Sequence, residues 1–281
     1  MPRIAIVTDS TASLDPADAE REDITVVPLK VIIGATEHVE GRDVTADMIA
    51  EALAAFVPVS TSRPTPDEFG DVYRQLAEAG AESIVGVHLS AKMSGTIDSA
   101  RLAARTAPVP VTIVDSGQVG LGVGFAAGAA ARARDAGGDV DAVVAAAEKA
   151  GGATTVTLYV DTLEYLRRGG RVGAAAALIG GALAVKPILT ITDGAVVPLE
   201  RVRTSAKALA RLEALAVEAA RACTDGYSIG VQHLANDTVA QQVAAHLAKA
   251  LERDDLPVDE VGAAIGAHVG PGMVSVTVTP L

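Results

Sequence analysis

Short apolar, β-branched runs alternate with helix-patterned segments along the first half of the chain. That alternation restricts the fold more than any other feature. "RIAIVTD" (residues 3–9), "ITVVPLKVII" (24–33), "SIVGVHL" (83–89) and "VTIVDS" (111–116) read as strands. "TADMIAEALAAF" (45–56), "PDEFGDVYRQLAEAG" (66–80) and "SGTIDSARLAARTA" (94–107) carry helical spacing, and two alanine-rich helices run on to about residue 150. Parallel strands need long crossovers, and helices are the usual crossover. The order therefore predicts a parallel sheet with helices on its faces.

The glycine pairs at Gly137–Gly138 and Gly151–Gly152 mark helix ends and a junction, after which the texture changes. "TTVTLYV" is a strand, and residues 162–185 read as helix interrupted by two glycine pairs. Residues 187–202 read as a hairpin across Asp193–Gly194. "TSAKALARLEALAVEAARA" is a long amphipathic helix. "YSIGVQHL", "DTVAQQVAAHLAKALE", "VDEVGAAIGAHVG" and "GMVSVTVTP" then read as strand, helix, strand and strand. The expected fold class is α/β in two domains. Residues 1–152 form an N-terminal three-layer α/β/α domain with a parallel sheet. Residues 153–281 form a C-terminal α/β domain with a mixed sheet.

Composition narrows the function classes. Hydrophobic residues make up 49% of the chain but aromatics only 2%, with no Trp. Ala, Val, Leu and Ile must fill the core, and a cavity walled by such side chains stays dry. A net charge of −12, with no basic cluster beyond "EYLRRGGR" (164–171), argues against nucleic acid as a partner. One cysteine, Cys223, permits no intrachain disulfide, and no Cys/His spacing suits zinc. The first apolar run meets Asp9 too early for a signal peptide. The longest, residues 172–185, falls short of the ~20 residues of a membrane span. The expectation is a cytoplasmic protein without stable membrane insertion. There is no GxGxxG after the first strand, no phosphate-binding GxxxxGK[ST] and no GxSxG elbow. No catalytic residue, metal ligand or cofactor is assigned.

What remains is hydroxyl-rich loops, arginines and one histidine. In "VTDSTASL" (7–14) a strand runs into Thr8, Asp9, Ser10, Thr11 and Ser13, where ligands of open α/β sheets bind. Helix capping explains the same residues equally well. "VSTSRPTPDEF" (59–69) places Thr61 and Ser62 before a proline-opened helix. Thr65 suits a cap; Thr61 and Ser62 lie too far upstream for one. "VHLSAKMSGTIDSARLAA" (87–104) sets Ser90, Ser94, Gly95 and Thr96 at a helix mouth. Ser90 or Ser94 suits a cap, and free N–H groups with hydroxyls suit an oxyanion; this stretch alone does not separate the two. Arg167, Arg168, Arg171, Arg201 and Arg203 are solvated side chains by default, though the glycines of "RRGGRVG" shape a loop that fits a phosphate. His268 lies in "GAHVGPGMV" (266–274), read as a Gly/Pro turn between strands.

Taken in order, "IVTDSTASL", "VVPLKVIIG", "TSRPTPDEF", "LSAKMSGTIDSA", "VDSGQVGLGVGF", "TLEYLRRGGRV", "KPILTITDGAVVPLERVRT" and "AHVGPG" resemble the DegV family across nearly the whole chain. The resemblance implies two α/β domains and one long-chain fatty acid in an internal apolar tunnel. It implies a binding subunit and not an enzyme. A separate fatty acid kinase catalytic subunit would phosphorylate the bound carboxylate to an acyl phosphate for phospholipid synthesis. By the same resemblance Thr61 or Ser62 and Ser94, with Gly95 and Thr96 beside it, hold the carboxylate, and His268 lies close by. Arg171 and Arg203 match positions that face phosphate or the kinase. Arg63 stands where the family often has Gln, and Ala91 where it often has a second Ser.

The chemistry agrees with that assignment. A buried carboxylate without donors costs several kcal/mol, and neutral hydroxyls and N–H groups meet it while leaving an oxygen nucleophilic. The small residues of "GAAAALIGGALA" suit a tunnel wall, although helix packing explains them as well. Two alternatives use the same residues. One is a lipid or small-acid sensor without a kinase. The other is an acyl hydrolase or transferase built on the hydroxyls and His268.

Overall fold

The structure is a computed structural model, and it describes residues 3–178 and 186–281. The chain packs as two compact units. One comprises Met1–Lys30 and Ser62–Ala153, the other Val31–Thr61 and Thr154–Leu281.

In the first unit, strands β1 (Ile4–Asp9), β2 (Ile24–Val27), β6 (Ser83–His88) and β7 (Val111–Asp115) lie in the order β2-β1-β6-β7, all parallel. Short α1 (Pro16–Arg21) joins β1 to β2. Successive side chains of a strand point to opposite faces, and both faces here are covered. Ile4, Ile6, Val85, Val87 and Val114 pack against alanines of α5 (Leu121–Asp135) and α6 (Val140–Ala153). The alternate residues Ala5, Val7 and Ile84 pack against Phe69 and Tyr73 of α3 (Pro66–Glu78) and Ala100 and Ala103 of α4 (Thr96–Ala104). This is the expected α/β/α layering, with apolar strands because neither face meets water.

The second unit is built on a six-stranded mixed sheet. Its strands are β8 (Thr155–Tyr159), β9 (Lys186–Thr192), β10 (Ala195–Val202), β11 (Tyr227–His233), β12 (Val258–Glu260) and β13 (Val274–Pro280). They lie in the order β10-β9-β8-β13-β11-β12, antiparallel except for β11 with β12. Helices α8 (Ser205–Ala222) and α9 (Asp237–Ala250) cover one face. Ala208, Leu212, Ala216 and Ala220 of α8 recur every fourth residue and are buried on the sheet, so the helix buries one stripe. Short α7 (Glu164–Arg168) follows β8, and α10 (Ala263–Val269) precedes β13. Asp193 and Gly194 both take positive φ, 49° and 75°, as a two-residue hairpin loop of the expected kind requires.

The segment Val31–Thr61 belongs to this second unit, whereas the sequence reading placed it within 1–152. It carries β3 (Lys30–Ile33), β4 (Thr36–Val39), α2 (Ala46–Ala54) and β5 (Val59–Ser62), with a three-stranded sheet in the order β4-β3-β5. Two polar contacts tie it to α10. The Glu40 carboxylate, 7% exposed, accepts the Ala264 N–H at 2.7 Å, and Thr61 meets His268 at 2.9 Å. Glu40 thus caps α10, whose own N-cap, Gly262, offers no side chain.

Other expectations need correction. Residues 24–33 are two strands, because Pro28 has no N–H to give a ladder. "VDEVGAAIGAHVG" is one short strand and then α10, so His268 sits in the last turn of a helix. Of residues 162–185, the described part is α7 and a 3-10 segment, Gly173–Leu178. The remaining part, with half of the suggested tunnel stretch, lies outside the described residues. No helix among the described residues is long and apolar enough to cross a membrane.

Glu40→Ala should lower stability by about 1–3 kcal/mol, because it strands a buried N–H at the start of α10. Urea unfolding checks this: the midpoint should fall at constant m-value. An unchanged midpoint would show that Glu40 does not hold the helix.

Candidate functional site

In the first unit the loop from β6 to α4 turns about Ser90. The Ser90 carbonyl accepts the N–H groups of Met93 at 2.9 Å and Ser94 at 3.1 Å, which delivers Ser94 to the mouth of α4. Neither Ser90 nor Ser94 is the cap. Gly95 is the N-cap, and it has no side chain to bond the first turn. The Ser94 Oγ and Thr96 Oγ1 hydroxyls lie 2.9 Å apart, and Ser94 Oγ accepts the Thr96 N–H at 3.3 Å. Thr96 is fully buried and Ser94 half-buried. With Thr96 as donor of the pair, Ser94 keeps its own hydrogen for an acceptor outside the loop. The guanidinium of Arg63 lies over Gly95, with Nη1 donating to the Gly95 carbonyl at 3.2 Å. A Cβ on residue 95 would sit 1.6 Å from that nitrogen, so a larger residue there would displace the guanidinium from this position. Ser62 is half-buried, and its Oγ makes a long 3.4 Å contact with the Arg63 carbonyl.

The hydroxyls of "VTDSTASL" serve the chain itself. Thr8 donates to the Val87 carbonyl at 2.7 Å, and Ser10 Oγ accepts the Leu29 N–H at 2.9 Å. Asp9, fully buried, accepts from the N–H and hydroxyl of Thr11, at 3.1 and 2.5 Å, and from the Leu89 N–H at 3.2 Å. Its second oxygen also meets His88 Nδ1 at 3.1 Å. This Asp9–His88 pair went unread in the sequence. It joins the ends of β1 and β6 and anchors Leu89, where the Ser94 loop starts. The capping-type reading of this stretch is the one that holds.

In the second unit Thr61 Oγ1 and His268 Nε2 are 2.9 Å apart, and His268 Nδ1 is buried without a partner among the described residues. A buried unpaired N–H costs more than an idle lone pair, so the proton belongs on Nε2. His268 then donates to Thr61, and the Thr61 hydroxyl hydrogen is available to a ligand. Burial first, and the positive charge of Arg171 second, push the His268 pKa down to about 4, so the ring is neutral at pH 7. The imidazole lies against Gly169, where a Cβ would fall 2.0 Å from Nδ1. Arg171 Nη1 donates to the Gly169 carbonyl at 2.5 Å, which fixes the arginine beside the ring. Arg203 is exposed, on the bend between β10 and Thr204, whose side chain caps α8. Arg167 and Arg168 both bond Glu164.

The Thr61–His268 distance would suit a nucleophile and its base, but a hydrolytic triad needs a third group on Nδ1, and among the described residues that atom has none. A groove of about 480 Å³ elsewhere in the second unit is lined by Asp47, His233, Asp237, Glu260 and neighbours. Its carboxylates repel an anionic headgroup, and its polar walls do not suit an acyl chain.

A histidine with a depressed pKa opposes folding once it must be charged. The unfolded chain binds that proton below about pH 6.5 and the folded chain only below about 4. The contribution of His268 to stability is therefore full above about pH 6.5 and is lost as pH falls to about 4, at most about 3 kcal/mol. Urea midpoints should decline across that window, with a shallower decline in His268→Asn. Equal slopes would contradict a buried neutral His268. By NMR, Arg171→Gln should move the His268 titration upward.

The model of the DegV family, described as "Uncharacterised protein, DegV family", matches residues 3–281. A DegV domain-containing protein of Streptomyces coelicolor is 51% identical over 277 residues, 98% of each chain. One from Deinococcus radiodurans is 37% identical over 281 residues, 99% of each. Among solved structures, a DegV family protein of Thermus thermophilus described as fatty acid binding is similar with a TM-score of 0.91 and 32% identity, covering 99% of this chain and all of the other. DegV of Bacillus subtilis, described as a fatty acid binding protein, gives a TM-score of 0.91 and 28% identity over the full length of both. The fold and sequence matches span the same residues, and the chain belongs to the DegV family.

Proposed function

We propose that the chain binds one long-chain fatty acid in an apolar interior and presents its carboxylate to a partner kinase. The residues assigned to the carboxylate are Thr61, Ser62, Ser94, Gly95, Thr96 and, behind Thr61, His268. The observation that carries this reading is the Ser94–Thr96 hydroxyl pair at a helix mouth with no side-chain cap. Whichever hydroxyl donates within the pair, the other keeps its hydrogen for an acceptor outside it. The likeness to fatty acid binding DegV structures supports the ligand class.

The energetics suit a fatty acid. Each buried methylene contributes about 0.8 kcal/mol, so a long chain binds well even after ordering costs. The headgroup needs donors chiefly to avoid a desolvation penalty. Neutral hydroxyls supply them and leave one carboxylate oxygen nucleophilic toward the phosphorus of ATP. The nucleotide would come with the kinase catalytic subunit, and Arg171 and Arg203 would face the transferred phosphate or that partner. No cofactor is needed on this chain beyond the fatty acid itself.

Ser94→Ala and Thr61→Ala should each weaken fatty acid binding about tenfold or more, since a hydrogen bond to a charged group contributes about 1.5–3 kcal/mol. Fluorescent fatty acid displacement measures this. Unchanged affinity in the double variant would overturn the assigned site. Arg203→Glu should leave binding intact and abolish acyl phosphate formation when ATP and a fatty acid kinase catalytic subunit are added. Undiminished acyl phosphate would remove Arg203 from its role.

A further inference from the structure

We infer that Arg63 sets the headgroup selectivity of this site, favouring a doubly charged acyl phosphate over the carboxylate. The inference rests on the fatty acid reading above and adds to it a discrimination between substrate and product.

Three observations place Arg63 for that role. First, its backbone is pinned on both sides. β5 ends at Ser62, and buried Pro64 holds the residue before it in extended conformations. Thr65 and Glu68 then form a reciprocal capping box on α3, and Glu68 is held by Lys30 at 3.1 Å. Second, the guanidinium fills the space that the missing side chain of Gly95 leaves open, and its Nη1 bonds the Gly95 carbonyl at 3.2 Å. It therefore lies beside the residue that separates Ser94 from Thr96. Third, its charge is not cancelled. A guanidinium has five N–H donors, and the carbonyl takes one. No Asp or Glu pairs with Arg63 among the described residues, and its side chain is exposed.

Hydroxyls offer the same single donors to a carboxylate and to a phosphate. A cation attracts an anion in proportion to its charge, and the planar fork of arginine matches two phosphate oxygens at once. Arg63 thus adds little for a monoanion already satisfied by hydroxyls and more for a dianion. Because the group is exposed, its effect is screened by salt and moderate in size.

The test compares a fatty acid with an alkylphosphonate of the same chain length, at a pH above the second ionisation of the phosphonate. Wild type and Arg63→Gln are titrated by calorimetry at low and high salt. The variant should lose about two- to fivefold of phosphonate affinity and much less fatty acid affinity, as expected for one exposed charge. High salt should bring the wild-type ratio toward that of the variant, and Arg63→Lys should keep part of the preference. Tight binding of both probes with the same ratio in wild type and Arg63→Gln overturns the role of Arg63 while leaving the fatty acid site standing. Failure of the phosphonate to bind wild type while the fatty acid binds overturns the role of Arg63 alone, and failure of the fatty acid to bind wild type overturns both.

Discussion

Glu40 and Asp9 are 7% and 0% exposed, so two of the chain's own carboxylates are taken almost wholly out of water. Such groups are tolerated only when donors replace their hydration. The chain meets Asp9 with the Thr11 and Leu89 N–H groups, a threonine hydroxyl and an imidazole nitrogen. It meets Glu40 with an N–H of the first turn of α10. Both contacts fix what carries the site. Asp9 anchors the start of the loop that brings Ser94 to α4, and Glu40 holds the helix that ends in His268. The proposed handling of a ligand carboxylate, by hydroxyls on Thr61 and Ser94, uses the same chemistry that already stabilises the fold.

Close approach is the second device. Gly95 leaves room for the guanidinium of Arg63, and Gly169 leaves room for the imidazole of His268. In each case a glycine lets a polar side chain lie on backbone and so fixes its direction. His268 is further constrained by charge: burial and Arg171 keep it neutral, so it orients Thr61 as a hydrogen-bond donor without adding a cation. In the proposed function, neutral hydroxyls would receive the carboxylate, and Arg63, Arg171 and Arg203 would act on a phosphate.

Local physics in the sequence anticipates much of this. Short apolar strand runs, the proline opening α3, and Thr45 and Thr65 as caps all mark their elements. Asp193–Gly194 marks the hairpin because its φ values demand that pair. What was not legible depends on contacts far apart in the chain. α10 reads as strand because its cap is supplied by Glu40, 224 residues away. The membership of Val31–Thr61 in the second unit depends on that contact and on the Thr61–His268 bond, 207 residues apart. The Asp9–His88 pair spans 79 residues, and His88 lies inside an apolar run that gives no hint of a polar partner. The hydroxyls of the site were visible as a motif; their partners and directions were not.

The central claim is that this chain carries a fatty acid. Native mass spectrometry of the freshly purified protein, followed by solvent extraction and lipid identification, tests it most directly. The account predicts one bound fatty acid per chain, retained through purification and released on denaturation. A protein that is empty, and stays empty when long-chain fatty acids are added, would contradict it.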